Sequence, residues 1–185
     1  MEKPILKVNV RILRPSEFEQ IMGVLGSNRR AQLRGQLITG ARYIENKYMQ
    51  KNPQVWDGKK YILLPREGSS KKKSQWEERT IRLSNYGIRH IESFFDADPL
   101  PANQNWDTNI KNWAEKAGFD DITGLCAKTT RKTWEAWLFT AFEQYSPRIL
   151  ASQGHTQAVA LKHYLNLPFY EKEKREIMKY VDGWI

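Results

Sequence analysis

The run Lys128-Thr129-Thr130-Arg131-Lys132-Thr133-Trp134-Glu135-Ala136-Trp137-Leu138-Phe139-Thr140-Ala141-Phe142 decides how this chain folds. Trp134, Trp137, Leu138, Ala141, Phe142 and then Tyr145 recur at intervals of three and four, the apolar stripe of an amphipathic core helix. The pattern predicts a helix over 131–144. Three positions before Trp134, the same stripe holds Arg131. A guanidinium at the inner end of an apolar face is costly unless something meets it. Its ordinary partners are a local Asp or Glu, or helix carbonyls. The chemical alternative is an oxyanion clamp, because a guanidinium pairs two oxygens at once. Lys128 stands just ahead of the helix, with Thr129 or Thr130 expected to cap it. Free helix N–H groups at that point favour an anion.

Downstream, helices are predicted over 147–153, 156–165 and 170–181. Gly154 is expected to stop the first of these in a left-handed conformation. His155 follows on the loop, where it can be aimed; His163, beside Tyr164, competes for the same role. Tyr164 precedes Asn166-Leu167-Pro168, where the backbone can bend and carry a phenol into a cleft. Spacing alone does not select Tyr164 over Tyr145 or Tyr170. On one straight helix His155 and Tyr164 would point to opposite sides, at about 100° per residue. Their cooperation therefore requires His155 on the loop.

Upstream, Leu6, Val8, Val10 and Ile12 alternate with Lys7, Asn9 and Arg11, the period of one short strand or extended arm. Helices are expected from Pro15 to about Gly26 with Ser16 as cap, over 28–38, and from near Tyr43 to a stop before Asn52-Pro53. Arg42 follows the Thr39-Gly40-Ala41 turn, where its ordinary role is an exposed cap. Lys59–Pro65 and Glu77–Leu83 are β-prone and flank Arg66–Gln75, a long hairpin turn carrying Lys71, Lys72 and Lys73. Gln54-Val55-Trp56 is expected to add a third short strand. Asn85–Phe95 is read as helical, Asp96–Asn105 as a polar linker between two lobes, and 107–117 as helical.

The chain has 185 residues, 40% of them hydrophobic, enough for one domain with a real core. No run of about 18 apolar residues occurs, and no signal-peptide core follows Met1, so a cytoplasmic protein with no membrane association is expected. One cysteine, Cys126, excludes an internal disulfide and a Cys-based metal site. Thirty basic against 21 acidic residues give a net charge of +9, which suits a polyanionic partner.

Taken in order, Thr39-Gly40-Ala41-Arg42, the Lys hairpin with its strand Arg79-Thr80-Ile81-Arg82-Leu83-Ser84, Lys128-Thr129-Thr130-Arg131, Gly154-His155-Thr156 and Lys162-His163-Tyr164 resemble the catalytic pattern of the tyrosine recombinases, the phage integrase family. The likeness covers nearly the whole chain. Val10-Arg11-Ile12-Leu13-Arg14-Pro15-Ser16, the Lys-x-x-Arg form of the middle motif and the tail after Tyr164 look most like archaeal and archaeal-virus integrases. The resemblance implies an α+β, mainly α, catalytic domain with a small three-stranded antiparallel sheet, spanning 1–185, without the family's N-terminal core-binding domain. It implies a site-specific DNA recombinase that cleaves and rejoins strands through a 3′-phosphotyrosyl bond and uses neither cofactor nor metal. Double-stranded DNA is the implied partner, with dimers or tetramers on it, in an archaeal or virus-infected cell near the nucleoid. Arg42 and Arg131 would hold the non-bridging oxygens, Lys72 or Lys73 (Lys71 is not excluded) would protonate the leaving oxygen, and His155 with Lys128 would attend the phosphate. Tyr164 would be the nucleophile. Lys128 stands where many members carry His. The rival readings are a type IB topoisomerase-like strand transferase, a DNA-binding module without catalysis, and a structural protein with no nucleic-acid role.

Overall fold

The computed structural model describes residues 3–69, 78–154 and 167–185. The N-terminal alternation does not make one strand. It makes a hairpin of β1 (Ile5–Lys7) and β2 (Val10–Ile12), paired antiparallel as Ile5↔Ile12, Leu6↔Arg11 and Lys7↔Val10. Val8 and Asn9 form the two-residue turn with φ of 49° and 59°, the conformation that matches the twist of the flanking strands. A β-branched residue rarely takes that conformation, so sequence pattern conceals the turn.

Helix α1 (Pro15–Gly23) begins with Pro at its first turn, a position where the missing N–H is not needed. Arg14, not Ser16, is its cap residue, and the backbone N–H of Arg14 donates to Glu17 Oε2 at 2.8 Å. Helix α2 (Ser27–Thr39) ends at Gly40, whose φ of 55° is the left-handed stop that glycine adopts without strain. Helix α3 (Tyr43–Lys51) follows directly.

Strands β3 (Tyr61–Pro65) and β4 (Glu78–Arg82) pair antiparallel from Tyr61↔Arg82 to Pro65↔Glu78. Their burial alternates: Ile62, Leu64, Arg79 and Ile81 face the core, while Tyr61, Leu63, Glu78 and Thr80 face out. The expected third strand is reduced. Pro53–Val55 is a short 3-10 turn, and only Trp56 bridges to Ile62, so each sheet has two strands among the described residues. Proline at 53 removes a ladder donor where a third strand would have begun.

Helices α4 (Asn85–Phe95) and α5 (Asn103–Lys116) precede α6 (Thr129–Ala141). Ser84 caps α4 by accepting from the Gly87 N–H at 3.0 Å. Leu100, inside the expected linker, is buried, and its N–H donates to Gln50 Oε1 at 2.9 Å, strapping the segment to α3.

Helix α6 is not amphipathic. Ten of its residues between Thr129 and Phe139 are buried, because β2, α2, α7 (Ser146–Gln153) and α8 (Glu171–Val181) surround it. Leu13 N–H donates to Thr133 Oγ1 at 2.9 Å, and Trp137 Nε1 donates to the Leu13 carbonyl at 3.1 Å, pinning the end of β2 to it. Lys128 is its cap position, without a side-chain cap. Thr129, expected to cap, instead accepts from the Cys126 N–H at 3.0 Å and so shapes the loop before the helix.

The architecture is mainly helical with small antiparallel sheets, and its buried apolar residues form one cluster from Ile5 to Trp184. Among the described residues no helix is long and apolar enough to cross a membrane.

Candidate functional site

The Thr39–Arg42 turn is built by side chains rather than by sequence alone. Asn46 Nδ2 donates to the carbonyls of Ala41 and Arg42, each at 3.1 Å, and Asn46 Oδ1 accepts from the Thr39 hydroxyl at 2.9 Å. The turn delivers Arg42 to the head of α3. There Arg42 Nη1 donates to Glu45 Oε1 at 2.7 Å and its backbone N–H donates to Glu45 Oε2 at 2.8 Å. Arg42 is thus a half-buried cap paired to a carboxylate, not an exposed one.

Glu45 is fully buried, and a second guanidinium reaches it: Arg79 Nη2, from β4, donates to Oε2 at 2.6 Å. Burial pushes the Glu45 carboxyl up, but Arg79, Arg42 and the Arg42 backbone N–H outweigh that and bring it down to about 2.

Arg131, buried in the first turn of α6, donates Nη1 to the carbonyl of Gly40 at 2.7 Å and Nη2 to the carbonyl of Gln153 at 2.5 Å. These carbonyls lie at the C-terminal ends of α2 and α7, where helices leave acceptors unpaired and favour positive charge. Burial lowers its pKa to about 10; the Glu135 carboxylate, one turn further along α6, opposes the shift, and Arg42 and Arg79 add to it. Arg131 therefore meets carbonyls in the way its ordinary role anticipates, yet it also sits within electrostatic range of Arg42, Arg79 and Glu45.

Beside this cluster opens a cleft of about 530 Å³. Arg42, Arg79, Arg82 and Arg148 line it against one acid, Glu78, among the described residues. Arg131 lies behind the wall rather than in it. Ser69 and Glu78, the described residues on either side of 70–77, both stand in the wall, as does Gly154, the residue before His155. Gly154 has φ of 62°, as its role of helix stop predicts. Lys128 is exposed at the head of α6, outside the wall. Lys71, Lys72, Lys73, His155 and Tyr164 lie outside the described residues, and so does His163.

Glu45, Arg79 and Arg148 escaped the sequence-based set. For Arg79 a signal existed: it is in phase with Ile81, so a charge occupies the inward face of a strand. For Glu45 the signal was an acid three residues into a helix headed by Arg42. Arg148 carried none.

No family model matches the chain, and no curated protein matches it. Among solved structures, the crystal structure of XerA recombinase superposes with a TM-score of 0.59 over 97% of this chain, at 15% identity. The chain has the fold of XerA recombinase. It spans 66% of the XerA chain. The likeness to XerA is one of architecture at that identity. Among the described residues no group of three or more His, Cys, Asp or Glu is placed to hold a metal ion.

Proposed function

We propose that this chain is the catalytic part of a tyrosine recombinase, an integrase of the archaeal or archaeal-virus kind, acting on double-stranded DNA. One observation carries the reading. Arg42 and Arg79 line a single cleft whose wall also contains Ser69 and Glu78, which bound the 70–77 segment that includes Lys71–Lys73, and Gly154, which precedes His155. The XerA-like fold and the net charge of +9 support the same class.

In this mechanism the Tyr164 oxygen, giving up its phenolic proton to His155, attacks a scissile phosphorus and forms a 3′-phosphotyrosyl bond as the P–O5′ bond breaks. Lys72 or Lys73 gives its proton to the leaving 5′-oxygen, which departs as a hydroxyl. Arg42, backed by Arg131, stabilises the charge that gathers on the non-bridging oxygens. His155 hydrogen-bonds the phosphate, and Lys128 contacts the DNA backbone beside the cleft. Reversal of the same steps with another 5′-hydroxyl rejoins strands, and paired subunits on DNA make that exchange reciprocal.

The test is to incubate the protein with supercoiled plasmid, denature, digest with protease and identify by mass spectrometry the peptide left on nicked DNA. The expected peptide contains Tyr164, and Tyr164→Phe removes the adduct while retaining DNA binding. Absence of any adduct, or attachment at Tyr145 or Tyr170, refutes the assignment. Relaxed plasmid without exchanged products would assign the topoisomerase-like activity instead.

A further inference from the structure

Arg79 is buried to 8% exposure on the inward face of β4, yet it lines the cleft. One of its nitrogens, Nη2, is held by Glu45 at 2.6 Å. Its Nε and Nη1 are buried without a hydrogen-bond partner among the described residues. Such donors are costly to bury unless an acceptor arrives. Gly154 packs against the same edge: a Cβ there would stand 3.0 Å from Arg79 Cδ and 3.2 Å from Nη1, so any side chain at 154 would crowd the unpaired side of the guanidinium.

We propose that Arg79 is a phosphate-binding residue of this cleft, a guanidinium fixed by Glu45 on one edge and offering Nε–H and Nη1–H to an anionic oxygen on the other. The inference rests on the reading of the cleft as a phosphoryl seat and adds to it a residue of the β3–β4 hairpin. Glu45 then serves two cations at once: it orients Arg42 from the head of α3 and Arg79 from the sheet, so both forks converge on one anion.

The test uses inorganic phosphate as the probe on the intact chain. The arginine Nε–H resonances of the wild-type protein are assigned by comparison with Arg79→Lys, and phosphate is titrated in. The Arg79 Nε–H signal is expected to shift saturably. Arg79→Gln is expected to weaken phosphate binding about 10–100-fold, the range for losing charge-assisted hydrogen bonds, and Arg79→Lys to weaken it less. An unmoved Arg79 signal at saturating phosphate, or no saturable phosphate binding by the wild type, overturns the proposal. Because the signal is read in the wild type, failure of the Gln variant to fold does not remove the test. A Tyr164 adduct on DNA with an unmoved Arg79 signal would sink this inference alone. A titrating Arg79 with no adduct would sink the recombinase reading and leave the anion seat standing.

Discussion

Glu45 Oε2 lies 2.6 Å from Arg79 Nη2, joining the first turn of α3 to a strand thirty-four residues later. The same carboxylate holds Arg42 at 2.7 Å, so one fully buried acid sets the relative position of two cations in the cleft wall.

Removing that acid leaves two guanidiniums without their counter-charge. Glu45→Gln is expected to cost about 3–5 kcal/mol of stability, the range for breaking a buried pair from one side. Denaturant unfolding of the two proteins measures it. A loss under about 1 kcal/mol would mean that neither ion pair is formed in solution.

The pH dependence follows with a definite sign. The folded carboxyl of Glu45 sits at about 2 against an ordinary 4.5, so its stabilisation is present above pH 4.5 and is lost as pH falls towards 2. The contribution is roughly 3 kcal/mol at neutral pH. The stability gap between wild type and Glu45→Gln should therefore shrink between about pH 5 and pH 3 in denaturant melts. A gap that stays constant over that range contradicts the assignment.

Gly40 is constrained twice. Its φ is 55°, and a Cβ there would lie 2.4 Å from Trp134 Cδ1 and 2.7 Å from Gln153 Oε1. Gly40→Ala is expected to destabilise by roughly 2–4 kcal/mol, because backbone strain and overpacking act together. Thermal unfolding checks it, and a neutral result would show that the turn relaxes elsewhere.

Arg148 is exposed at the cleft rim, stacked over Tyr145 at 5.5 Å. If DNA lies across the cleft, Arg148→Gln should weaken binding evenly across sequences and lower the slope of log affinity against log salt by about 1. Fluorescence anisotropy at several salt concentrations reads both. An unchanged slope places the DNA path away from this rim.

Much of the helical frame is written in apolar spacing. Trp134 and Trp137 disclose the core helix, and Gly40 and Gly154 disclose where two helices stop. The errors have local causes. Leu6 to Ile12 alternates whether it is one strand or two, and nothing in Val8-Asn9 advertises a turn. Trp56 pairs with one residue only, because the proline at 53 spoils the strand before it. Arg42 was legible at the cleft because its motif sits at a helix head, while Arg131, also near a helix start, lies behind the wall. Arg79 and Glu45 each carried a local signal, but their pairing is long-range and shows only in the fold, where Arg79 Nη2 reaches Glu45 Oε2. Lys128 could be placed at the head of α6 from sequence, but not outside the cleft wall, since that depends on how α6 is oriented among β2, α2, α7 and α8.

Arg131 grips the carbonyls at the close of α2 and of α7 with its two terminal nitrogens. A tug on either helix end is therefore felt at the other. The close of α7 at Gln153 and the turn presenting Arg42 share one hinge pin, so slack introduced by a substitution on one side reappears on the other as lost alignment.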